Sequence, residues 1–133
     1  MNNYTQILRE HNLKATPQRL EIAQALDLNG HMSIENLYDV MLKKFSSISL
    51  ATIYKNIHLM LESTFIQEVK LPNHKSVYEL SKNSHSHILC VQCNQIFDID
   101  LNLNSIVADA SENTGFLIEK SDLVLSGRCK NCL

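Results

Sequence analysis

The chain has 133 residues, with twelve Lys/Arg against fourteen Asp/Glu and a formal net charge of −2. That length holds one ordinary domain or two very small ones, and the slightly acidic balance excludes a globally basic nucleic-acid binder. No apolar run approaches the ~20 residues of a membrane helix and the first residues carry no signal core, so a reduced, cytoplasmic setting without a membrane partner is expected.

Residues 1–79 carry eight basic and eight acidic side chains, and residues 80–133 carry four and six. Any DNA footprint is therefore a local patch in the first half. A first helix is expected over residues 3–12, with Ile7 and Leu8 apolar. Thr16-Pro17 starts a second: a hydroxyl at the N-cap, and a proline at the position where a missing N–H costs nothing. Leu20, Ala23 and Leu26 recur at helical spacing, and Asn29-Gly30 ends the run. Ser33 caps a third helix, in which Ile34, Leu37, Tyr38, Met41, Leu42 and Phe45 make an apolar stripe. Ser49 caps a fourth. Its apolar face is expected to be Leu50, Ile53, Tyr54, Ile57 and Leu61, and its other face Ala51, Thr52, Lys55, Asn56 and Leu59. Thr64 follows, in a turn where glycine would be natural.

Two β-like runs come next, residues 65–71 and 76–80, joined by the turn Pro72-Asn73-His74-Lys75. Helices followed by a hairpin is the order of a winged helix-turn-helix. Composition shifts at Ser81-Lys82-Asn83-Ser84, an expected hinge. Beyond it, 88–91 and 95–99 read as strands, 103–110 as a helix ending near Gly115, and 116–118 and 123–125 as further strands. The fold class is α+β: a winged helix over 1–80, a hinge at 81–84 and a small α/β unit over 85–133.

All four cysteines fall in two identical pairs, Cys90-Val91-Gln92-Cys93 and Cys129-Lys130-Asn131-Cys132. Two such knuckles wrap one Zn²⁺ tetrahedrally, and four sulfurs leave no open position, so the zinc would be structural. Two dithiol redox motifs or disulfides are the competing readings. The duplicated pairing and the reducing setting favour zinc.

In a helix-turn-helix the second helix enters the major groove. On the fourth helix, Ala51 and Thr52 suit a thymine methyl, Asn56 an adenine or a phosphate, and Lys55 a phosphate. Lys14 and Arg19 flank the start of the second helix and could grip backbone or minor groove. His74 and Lys75 tip the wing. The competing reading is an amphipathic helix with a solvated polar face. A zinc-stabilised interaction module and a thiol-redox enzyme are the other functional classes. The enzyme is disfavoured because no residue near the thiols would activate a nucleophile.

His85-Ser86-His87 puts two imidazoles on one face of a strand, with Asp98 on the next. Glu79 and His31 lie in the first half. Three imidazoles and two carboxylates suit Fe²⁺, Mn²⁺ or Zn²⁺. One ion joining His31 to the C-terminal ligands would fix the angle between two domains and couple metal to DNA binding.

Three stretches carry a resemblance: Leu13-Lys14-Ala15-Thr16-Pro17-Gln18-Arg19, Ile48-Ser49-Leu50-Ala51-Thr52-Ile53-Tyr54-Lys55-Asn56, and His85-x-His87-x-x-Cys90-x-x-Cys93. Cys129-x-x-Cys132 completes them. Over essentially its whole length the chain resembles the ferric uptake regulator (Fur) family. The resemblance implies a homodimeric, metal-dependent transcriptional repressor that binds double-stranded DNA, with a C-terminal dimerisation domain. It implies structural zinc on Cys90, Cys93, Cys129 and Cys132, and a regulatory Fe²⁺ or Mn²⁺ on His31, Glu79, His85, His87 and Asp98. It makes Tyr54 a base contact and lets Lys14 enter the minor groove. Lys55 stands where many members carry arginine. A further metal site of iron-sensing members would fall on Ser84, Ser86, Ser105 and Arg128, none of them a good ligand. A single regulatory site with Asp98 resembles the peroxide-sensing (PerR) subgroup, in which Fe²⁺ and H₂O₂ oxidise ligand histidines and release DNA. His31 and His85 match those histidines, while Glu79 departs from the subgroup's usual aspartate. The single site with Asp98 favours peroxide sensing, Glu79 leaves iron sensing open, and zinc sensing is third.

Overall fold

Four hydroxyl or carboxamide caps set the first half of the chain. A computed structural model describes residues 3–82 and 85–133. Asn83-Ser84, half of the expected hinge, lies outside the described residues. Asn3, Thr16, Ser33 and Ser49 each accept a hydrogen bond from the backbone N–H three residues on, which opens α1 (Tyr4–Glu10), α2 (Pro17–Asn29), α3 (Ile34–Lys44) and α4 (Leu50–Glu62). Gly30 takes φ 79° after α2, a conformation that an L side chain rarely adopts. The antiparallel hairpin β1 (Ile66–Val69) and β2 (Val77–Leu80) follows. A lone bridge between Met32 and Tyr78 adds a third line to this wing.

The described residues fall into two compact units, one within Met1–Lys82 and one within Asn83–Leu133. The first has a continuous apolar core in which Leu8, Ile22, Leu37, Met41, Ile53 and Met60 are fully buried. Each such side chain contributes roughly 1.5–3 kcal/mol relative to exposure.

The face of α4 differs from the expected one. Ile53, Asn56, Ile57 and Met60 point inward, while Leu50 is 41% and Tyr54 51% exposed. The buried set follows i, i+3, i+4, i+7 from Ile53, a stripe rotated away from Leu50 and Tyr54. Asn56 occupies a place that apolarity alone would not assign to it. Thr64 takes φ 65°, in the left-handed region that β-branched residues avoid, and nothing in the structure explains its choice over glycine.

The second unit holds a sheet of order β4-β3-β5: β3 (Ser86–Cys90), β4 (Ile96–Ile99) antiparallel to it, and β5 (Val124–Gly127) parallel to it. The parallel pair needs a crossover, and α5 (Asn104–Thr114) lies within it, closed by Gly115 at φ 73°. The expected strand at 116–118 does not form. The Phe116 N–H donates to Thr114 Oγ1 and the Phe116 carbonyl accepts from Ser111 Oγ, so this backbone is tied to the helix end. Among the described residues of this unit only Ser86, His87, Leu89 and Cys90 are buried, and α5 buries none. So small a core calls for a clip or a partner. No helix among the described residues is long and apolar enough to cross a membrane.

Candidate metal centres and DNA-reading surface

The thiol quartet is assembled by strand register. β3 ends at Cys90, and the knuckle to Cys93 turns the chain toward β4, with Asn94 in the left-handed region at φ 62°. Parallel pairing sets Cys90 opposite Gly127, which delivers Cys129 and the 3₁₀ turn Lys130–Cys132 to the same place. The four Sγ atoms lie within 4.8 Å of one another, with Cys93 and Cys129 3.9 Å apart, and all four thiols are free. Tetrahedral thiolates at ~2.3 Å from zinc are separated by about 3.8 Å, so the cradle has the right size. The N–H groups of Cys93 and Cys129 donate to Cys90 Sγ at 3.5 and 3.3 Å. These bonds, Cys93 first, hold the Cys90 thiol down to about 6. Crowding acts oppositely on Cys132, whose thiol is pushed up to about 12, chiefly by its contact with Cys129. Four thiolates so close need a cation, and a divalent soft-tolerant ion fits them.

The second donor set is described unit by unit. In the first unit the Met32–Tyr78 bridge is antiparallel, so His31 falls opposite Glu79. His31 Nε2 lies 2.9 Å from Glu79 Oε2. Glu79 is 1% exposed, and Gln67, its cross-strand partner, donates from Nε2 to Glu79 Oε1 at 2.6 Å. Gln67 escaped the sequence analysis. A hairpin turn confined to residues 72–75 would pair 71 with 76, whereas the observed register pairs Val69 with Val77 and thereby Gln67 with Glu79.

In the second unit His87 lies opposite Asp98 in the β3–β4 register. His85 precedes it by two residues, on the same face. The two imidazole centroids are 4.5 Å apart at 65°. Asp98 Oδ1 is 3.5 Å from His87 Nε2 and 3.8 Å from His85 Nε2. Nitrogen and oxygen donors of this type suit Fe²⁺, Mn²⁺ or Zn²⁺.

On α4, Ala51, Tyr54 and Lys55 are exposed, and Thr52 is half-buried with Oγ1 3.0 Å from Ser49 Oγ. Lys14, His74 and Lys75 are exposed. Lys75 Nζ lies 2.6 Å from Glu35 Oε1. That bond raises the Lys75 ammonium above its usual range and lowers the Glu35 carboxyl. Asn56 needs correction as a base or phosphate reader. It is buried, its Oδ1 accepts from Arg19 Nε at 3.1 Å, and its Nδ2 donates to the Thr52 carbonyl at 3.2 Å.

A winged helix followed by a small α/β unit with a four-thiol cradle and imidazole–carboxylate donors defines a metal-responsive regulator. The ferric uptake regulator family model matches residues 10–126, and the chain belongs to that family. It is 34% identical to a ferric uptake regulation protein of Synechococcus elongatus, over 94% of this chain and 89% of that one. It is 30% identical to the peroxide-responsive repressor PerR of Staphylococcus aureus, over 94% and 86%. The crystal structure of the Campylobacter jejuni peroxide stress regulator superposes with a TM-score of 0.75 at 32% identity, covering 98% of this chain and all of that one.

Proposed function

We propose that this chain is a homodimeric, DNA-binding repressor that senses peroxide through oxidation of the histidines holding its regulatory metal. The observation that carries the reading is the donor set itself. His87, His85 and Asp98 converge on one face of β3–β4, His31 and Glu79 converge on the wing, and Ser86, Ser105 and Arg128 offer no second regulatory site. In this reading the five side chains serve one ion, with Zn²⁺ confined to the thiols. Ferrous iron held by these side chains would supply the redox chemistry by which H₂O₂ gives one oxygen to a ligand imidazole and leaves the other as water. Asp98, with its side chain 36% exposed, admits solvent and peroxide; His31 and His85, 14% and 10% exposed, take the damage. Glu79 is held in place by Gln67, and loss of His31 or His85 as a donor ends metal retention. The apolar side chains of Phe97, Ile106 and Leu125, exposed in a single copy, supply surface for a second.

The test is DNA binding by the Fe²⁺-loaded and Mn²⁺-loaded protein before and after brief H₂O₂. Loss of binding in the iron form alone, with an added oxygen on His31 or His85 by peptide mass spectrometry, is expected. Retained binding with intact histidines would replace this reading with iron sensing. Glu79, in place of the usual aspartate, and the similarity to the Synechococcus protein favour that second reading.

Two substitutions probe the parts. Tyr54→Ala should weaken operator binding about 10-fold or more, the scale of one lost base contact, while sedimentation still shows the dimer. An unchanged Kd would remove Tyr54 from the interface. Gln67→Ala should weaken Mn²⁺ binding about 10-fold, as loss of a ligand's supporting hydrogen bond does. Isothermal titration giving the wild-type affinity would show that Glu79 needs no such support.

A further inference from the structure

Arg19 is drawn into a fixed pose by groups from two directions. Its Nε donates to Asn56 Oδ1 at 3.1 Å, and its Nη1 donates to the Lys14 carbonyl at 3.1 Å. Asn56 lies 37 residues away on α4, buried, with its other end bonded to the Thr52 carbonyl one turn back. The carboxamide cannot rotate without losing one of these bonds. A half-buried guanidinium so clamped keeps its remaining N–H edge at a set angle beside exposed Lys14, at the start of α2. The free guanidinium would otherwise sample many rotamers, and ordering it on binding costs free energy. The bond also ties α2 to α4, so the cation moves with the helix that carries Ala51, Tyr54 and Lys55.

We infer that Asn56 is a positioning residue: it presents the Arg19 guanidinium to the DNA backbone in register with the α4 surface, and does not itself touch a base. The inference rests on the DNA-binding reading above. It assigns to the Arg19–Asn56 pair a phosphate contact that sets the docking register, a role that fixes affinity without reading sequence.

A double-mutant cycle on the Mn²⁺-loaded full chain tests this. The probe is a duplex selected by the wild-type protein from a random 25-base-pair library. Arg19→Ala, Asn56→Ala and the double variant should each weaken binding by about the same ~10-fold, not multiply to ~100-fold, because one removes what the other acts through. Each should also make the slope of log K against log salt shallower by about 0.9, one phosphate contact. A purely structural Asn56 would lower the melting temperature without changing that slope. Asn56→Ser keeps a hydroxyl for the Thr52 carbonyl but cannot reach Arg19, so it repeats the cycle with the helix intact. Additive losses, an unchanged slope in either Asn56 variant, or an altered base preference would overturn the proposal, the last by making Asn56 a base reader. If the wild-type protein selects no duplex and shows no salt-dependent binding, the DNA-binding reading fails instead.

Discussion

Cys93→Ser should empty the structural zinc site and unfold the second unit. The change is nearly isosteric at an exposed position, so it opens no cavity in the core. Its effect must come through the metal. Structural zinc contributes ~10–16 kcal/mol in small zinc-binding peptides, as much as a whole domain's net stability of about 5–15 kcal/mol. The unit has little to set against that loss, since among its described residues only Leu89 and Cys90 are buried apolar groups. Zinc content by mass spectrometry should fall to background. Hydrogen exchange should show β3, β4 and β5 unprotected while α2 and α4 keep their protection. A variant that lost zinc but kept protected strands would make the thiol quartet dispensable for the fold.

His85→Ala should abolish the response of DNA binding to Fe²⁺ or Mn²⁺ while leaving zinc in place. Outer-shell partners of a metal are worth 10–100-fold in affinity, so removal of a donor should cost at least about 100-fold. At metal concentrations that saturate the wild type, the variant should bind operator no better than the metal-free protein. The zinc content is the internal control, because His85 faces Asp98 rather than the thiols. A variant with the normal metal response would take His85 out of the regulatory site and weaken the peroxide reading with it.

Much of the helical half was legible. Thr16, Ser33 and Ser49 cap their helices as expected, because a hydroxyl one residue before a helix meets a backbone donor that otherwise has no partner. The β-like run at 116–118 misled. Strand propensity expresses fit to a half-buried pleated surface, and two side-chain hydroxyls at the end of α5 offered this backbone other partners. The rotation of α4 misled too. Leu50 and Tyr54 are apolar enough for a core, and only their absence from the Ile53–Met60 stripe puts them outside.

The local signals suffice for the caps, the paired cysteine knuckles and the motifs of the ferric uptake regulator family. Each depends on residues a few positions apart, so bond geometry along the chain defines it. Tertiary structure alone decided which residues face each other across strands. His31 meets Glu79 through a bridge between Met32 and Tyr78, Gln67 supports Glu79 through a register that one residue of slip would destroy, and Asn56 on α4 finds Arg19 at the start of α2. A strand pattern of period two and a helix pattern of 3.6 are compatible with several registers and rotations. The choice among them is made by packing between segments tens of residues apart, which no local spacing encodes.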